Sequence, residues 1–238
     1  MVTGANIAFH AAVILGGDET VAARLGASAF AVMVMLIGGR IIPSFTINWF
    51  KRFHKEPLPV PFGRYDMAAI AIGTLTLGFY SAAPLSTATA ILAALACAMH
   101  LYRLYRWRGL QTTGDRLLFI LHAAYAFVPL SFAAIAAAAL DLAPLWSVLH
   151  LLTVGVMSLM ILAVMTRASL AHTGRALTAS RLTEASYAAL FFAALTRPLA
   201  GFWPEQAMIF YTLSGTLWLA AFGLFLVQYT PILFKAPS

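Results

Sequence analysis

Histidines and arginines set inside apolar runs are the residues of this chain whose types and spacing could do chemistry. The stretch HLLTVGVMSLMILAVMTRASLAHTGR, residues 150–175, shows the pattern: it opens on His150, runs on as a membrane-length apolar segment and closes on a dense polar cluster. An ionisable side chain at membrane depth costs free energy that packing alone does not explain, so each is a candidate functional group. Neutral imidazole is the commonest transition-metal and haem ligand, and helix-borne histidines at matched depth hold a haem between helices. Arginines beside such a site would neutralise haem propionates through bidentate hydrogen bonds. Counting from the expected helix ends puts His150, His10 and Arg197 at one level, about 9 Å inside one face of a membrane. Arg40, His100, His122 and Arg167 form a second level near the opposite face. Met157 shares a helix face with His150, and its thioether suits Cu(I), which adds a copper reading.

Each residue also has a plainer reading. A membrane histidine can simply hydrogen-bond to a neighbouring helix. His100 and Arg103, close to an expected helix end, read as snorkelling or solvated groups. Methionine in an apolar helix is most often core filling. Arg40 and Arg167 would serve as topogenic charges, but Arg40 lies in GGRIIPSFT (38–46), where Pro43 is expected to break the helix and free carbonyls. Broken backbone at membrane depth lines protein or a cavity, so this motif points to a site. Asp66, Asp115 and Glu184 fall at expected helix starts, where the dipole favours carboxylates, and no membrane-embedded Asp or Glu is expected. Their absence argues against an ordinary proton-driven transporter.

The elements that must position these groups follow from composition. Of 238 residues, 62% are hydrophobic and only 10% charged, which no soluble domain of this length matches. The expected fold is an all-α transmembrane helix bundle forming a single domain over residues 1–238. Seven full spans are read at roughly 27–47, 66–83, 86–103, 116–139, 144–166, 184–202 and 206–230. Residues 5–16 form a shortened first helix, and the chain reads as missing amino-terminal spans. No cleavable signal peptide is evident at the amino terminus. Connections 48–65, 103–116 and 167–183 hold most of the Lys and Arg, and the tail adds Lys235, whereas the alternate connections near residue 84, at 140–144 and at 202–206 hold Asp141 and Glu205 and no Lys or Arg, and the first turn, with Asp18, Glu19 and Arg24, is read on their side. By the positive-inside rule the basic connections are cytoplasmic, so the net charge of +7 needs no nucleic-acid partner. The lipid bilayer is the expected partner, and an oligomer is compatible. Cys97 stands alone, which excludes an intramolecular disulfide.

Three segments carry a family resemblance. GGRIIPSFT (38–46), LLFILHAAYAFVPL (117–130) and LHLLTVGVMSLMILAVMTRASLAHTGRAL (149–177) resemble the NnrS family in the same order, and LTRPLA (195–200) resembles its late arginine segment. The resemblance implies a bacterial inner-membrane protein containing haem and copper and tied to the response to nitric oxide. It puts weight on Arg40, Pro43, Thr46, His122, Tyr125, His150, Gly155, Met165, Arg167, His172, Gly174 and Arg175. Two features depart from the family: its amino-terminal His-Glu-Met segment is absent, and Ala171 stands where glycine is usual. The chain therefore resembles the carboxy-terminal two-thirds of such a protein.

The resulting expectation is b-type haem held by His150 and His122, with His10 as a partner of His150 and Arg197 and Arg167 as propionate or anion partners. Nitric oxide or a small redox ligand would be the molecule handled. The competing readings are a haem-linked quinol or electron-transfer protein and a metal or anion transporter.

Overall fold

The computed structural model describes residues 2–234, so Lys235 lies outside the described residues. It is all-helical. The order is α1 (Val2–Leu15), α2 (Thr20–Arg52), α3 (Arg64–Ala82), α4 (Thr87–Trp107), α5 (Arg116–Ala139), α6 (Leu145–His150), α7 (Leu159–His172), α8 (Arg181–Thr196) and α9 (Ala207–Phe234). A π-helical segment, Leu151–Ser158, joins α6 to α7 into one continuous rod. Each expected span overlaps a helix, although that at 184–202 leaves α-helical geometry after Thr196. Five of these are long and apolar enough to cross a membrane by length and composition: Thr20–Arg52, Thr87–Trp107, Arg116–Ala139, Leu145–His172 and Pro204–Phe234.

Local sequence sets the helix starts. Ser86, Asp115 and Ser180 each accept a backbone N–H at the first turn, from Thr89, Leu118 and Thr183. These bonds satisfy donors that a helix start leaves free. Pro43 does not break α2 as expected, since the helix runs unbroken through it to Arg52. The ring removes only one backbone bond, and tight packing on both sides, where Ile42 and Pro43 are buried, holds the helix together.

Each helix from α1 to α5 packs against the next, as α8 does against α9, and α5 is the hub, touching α2, α4, α6, α7, α8 and the π segment. The core is therefore the α5 surface: Leu117, Leu118, Leu121, Ala124, Tyr125 and Ile135 are all fully buried. By contrast α9 is apolar on every side and shows most of its surface, with Leu219, Leu226 and Val227 more than half exposed, as a lipid-facing helix would. Trp146 and Trp203 are likewise exposed, near helix ends, where interfacial anchors sit.

The π segment packs tightly on α5. Gly155 lies so close to Phe127 of α5 that a Cβ there would fall 2.4 Å from the ring. The backbone can approach α5 that closely only without a side chain at this position. Ser158 Oγ donates to the Thr153 carbonyl at 3.0 Å, five residues back, following the wider register. π segments recur at functional sites, and this one begins directly after His150.

Candidate functional site: a buried polar cluster around Arg103 and His122

The motifs at 38–46 and 117–130 converge near the end of the bundle that carries the basic connections. At the centre is Arg103 of α4, which is completely buried. Its Nε donates to Asp66 Oδ1 at 2.7 Å, and its Nη1 donates to the Met35 carbonyl at 3.2 Å and to the Tyr125 hydroxyl at 2.5 Å. Trp107, Tyr125 and Phe62 place their rings 5.1, 5.6 and 5.8 Å from the guanidinium. One side chain thus ties α2, α3, α4 and α5 together. Gly39 makes room for it, because a Cβ there would fall 1.9 Å from Arg103 Nη2. This Nη2 has no hydrogen-bond partner among the described residues.

Hydrogen-bond balance assigns the protons along the chain of contacts. His100 Nε2 lies 3.1 Å from the Ala69 carbonyl, which can only accept, so Nε2 carries the hydrogen. His100 Nδ1 then accepts from the Tyr125 hydroxyl at 3.0 Å, while that oxygen accepts from Arg103. Tyr125 is held at both ends. Asp66 is also shared, since Gly63 N–H donates to its Oδ2 at 3.0 Å and Arg106 Nη1 at 3.4 Å.

The same logic applied to His122 gives a different result. Thr46 Oγ1 donates to the Ile42 carbonyl at 2.7 Å, as helical threonines commonly do. Its single hydrogen being used, it accepts from His122 Nε2 at 2.9 Å. His122 Nδ1 is left as a bare lone pair, and it has no partner among the described residues. The ring is 5% exposed and stands on the floor of a groove of about 330 Å³ lined by Leu104, Gly109, Phe119, Ala123 and Ala126. Gly109 lies against the ring: a Cβ there would fall 2.5 Å from Nδ1.

The other expected residues are distributed more widely. His150 is half-buried at the end of α6, within electrostatic reach of Arg197, and has no hydrogen-bond partner among the described residues. Arg197 stacks 4.1 Å over the ring of Tyr211. His10 is exposed on α1, which packs along α2 rather than against α6. Arg40 is exposed and lies 5.2 Å over Phe62, the ring that also faces Arg103. Arg167 stacks 4.6 Å over Phe45, with its Nη1 buried and unpartnered among the described residues. His172 is exposed at the end of α7. Arg175 Nη1 donates to the Ile232 carbonyl at 2.9 Å and so fastens the last turn of α9. Met157 lines a groove of about 280 Å³ between α2 and α7 with Met33, Met160 and Met165. No group of three or more His, Cys, Asp or Glu is placed to hold a metal among the described residues.

Two expectations need correction. His100 and Arg103 are neither snorkelling nor solvated, since both are fully buried. Asp66 does sit in the first turn of α3, but it is 1% exposed and paired to Arg103, so a carboxylate is present inside the bundle. Position near a helix end favours solvation of Arg103, and its partner Asp66 lies 37 residues away in sequence. The available signal was that His100, Arg103 and Trp107 fall at i, i+3 and i+7, one face of one helix.

These features define a class: an all-helical membrane protein whose core is organised by a buried ion pair and by a histidine with one free nitrogen. The family model for NnrS protein matches residues 1–236, essentially the whole chain, and the chain belongs to the NnrS family. This membership fits a membrane protein of the nitric oxide response. Neither curated proteins nor solved structures give a significant match to it.

Proposed function

We propose that the chain binds b-type haem in the bacterial inner membrane and handles or senses nitric oxide there. The observation that carries this reading is His122, a buried imidazole oriented by Thr46, with a bare Nδ1 lone pair beside an apolar groove. Metal-ligating histidines characteristically have one nitrogen fixed by a second partner and the other free. On this reading His122 would be one ligand of a haem iron, reached by displacement of Gly109 from the Nδ1 face, and His150, beside Arg197, would be the candidate ligand at the other level. When bound, ferrous haem would supply the iron that takes up nitric oxide. The chain's own part is to present the unprotonated nitrogen, exclude water and counter the propionate charge.

The four methionines lining the α2–α7 groove favour Cu(I) as a second metal there, because thioether sulfur is a soft ligand. Seven spans with the basic connections on the cytoplasmic side follow from the Lys and Arg distribution.

The test is haem content by pyridine haemochrome on detergent-purified chain. Wild type is expected to carry haem, and His122→Ala is expected to lose at least nine-tenths of that level while eluting as the same monodisperse species. Unchanged haem in His122→Ala overturns the ligand assignment. No haem in wild type, even after reconstitution with haemin, overturns the haem reading.

A further inference from the structure

We infer that the basic end of α4, with the connection folded over it, is a binding site for one anionic phospholipid. A groove of about 490 Å³ opens there between Pro57, Leu58 and Val60 of the α2–α3 connection and the last turn of α4. It shares the wall of Leu104, Tyr105, Gly109 and Leu110 with the His122 groove.

Charge selects the head group. Four cations converge at this end: Arg103, Arg106, Arg108, and Lys55, whose Nζ donates to the Gln111 carbonyl at 3.4 Å. Two carboxylates face them. Asp66 is already shared by Arg103 and Arg106, and Glu56 accepts the Leu58 N–H at 3.0 Å. Positive charge is left over at the polar rim of the groove.

The two arginines lining the groove are also held in place before any ligand arrives. Arg106 lies 4.9 Å over the ring of Tyr65 and 5.9 Å over that of Tyr102. Arg108 Nη1 donates to the Pro57 carbonyl at 3.1 Å. A guanidinium has five N–H donors, so each retains several for a phosphodiester. Groups already ordered bind at lower entropic cost.

The apolar side selects a lipid over a soluble anion. Leu58, Val60 and Leu104 wall the groove, and Tyr105 and Leu110 beside them are 79% and 85% exposed. A free phosphate would leave this surface uncovered, whereas the acyl chains of a phospholipid cover it. Basic pockets between transmembrane helices on the cytoplasmic side are where anionic head groups bind.

The experiment is native mass spectrometry of the full detergent-purified chain with dioleoyl phosphatidylglycerol or dioleoyl phosphatidylcholine, and with inorganic phosphate as competitor. The expected result is selective retention of one phosphatidylglycerol, unaffected by millimolar phosphate. Arg108→Gln and Arg106→Gln should each weaken it about five-fold, from the ~1 kcal/mol that a surface arginine contributes. Arg24→Gln should leave it unchanged, since Arg24 lies in the first turns of α2, where its Nε donates to the Ser81 carbonyl at 3.3 Å, away from the groove. Arg108→Gln touches no buried group, so it reads binding even if Arg106→Gln disturbs Asp66. Equal retention of both lipids, displacement by phosphate, or full retention in Arg108→Gln would each overturn the assignment. The measurement needs no haem, so its outcome is independent of the haem reading.

Discussion

Replacing Arg103 by methionine tests whether the buried ion pair holds the bundle. The substitution keeps much of the side-chain volume and removes every donor. Asp66 would then keep only the Gly63 N–H and Arg106, the latter at 3.4 Å, while remaining 1% exposed. The Met35 carbonyl and Tyr125 hydroxyl would each lose their guanidinium donor. Breaking a buried pair from one side costs about 3–5 kcal/mol, because the surviving charge loses its closest partner while still buried. For a chain of this length that is a fall in Tm of roughly 10 °C. The assay is thermal unfolding in detergent followed by intrinsic fluorescence. The double variant Arg103→Met/Asp66→Asn should recover at least half of the loss, since no charge is then stranded. If Arg103→Met melts with wild type, or the double variant melts no higher than the single, then the pair does not organise these helices.

Other outcomes follow from the same geometry. Gly39→Ala places a Cβ 1.9 Å from Arg103 Nη2 and should cost about 2–3 kcal/mol, measured by the same melt; a neutral Gly39→Ala would show that the guanidinium can move aside. Thr46→Val removes the acceptor that orients His122 Nε2, and haem affinity measured by haemin titration should fall about 10–100-fold. Arg175→Ala frees the last turn of α9 and should raise amide hydrogen exchange around Ile232 without changing haem content; unaltered exchange would show that Arg175 does not fasten it.

The helices were legible in the sequence because apolar runs of membrane length and polar connections leave little choice of element. The caps at Ser86, Asp115 and Ser180 are local signals and appear where their residue types place them. The second level of polar groups was legible in part. His122 and His100 both join it, linked by the Trp107 and Tyr125 rings, which lie 4.6 Å apart. What links them was not legible. Arg103 stood near a helix end and so resembled a solvated charge, and nothing local in the sequence marks Asp66, 37 residues away, as its partner. The continuity of α2 through Pro43 depends likewise on packing from other helices, which the motif itself does not encode. The free nitrogen of His122 follows from one hydroxyl proton on Thr46, a detail that only side-chain geometry supplies.

The most direct test of the central claim is the reduced-minus-oxidised absorption spectrum of the purified full chain and of His122→Ala, each before and after nitric oxide. Wild type is expected to give a haem b spectrum whose Soret band shifts with nitric oxide, and a folded His122→Ala is expected to lose that spectrum. A wild-type spectrum that ignores nitric oxide, or a shift that persists in His122→Ala, would contradict the claim.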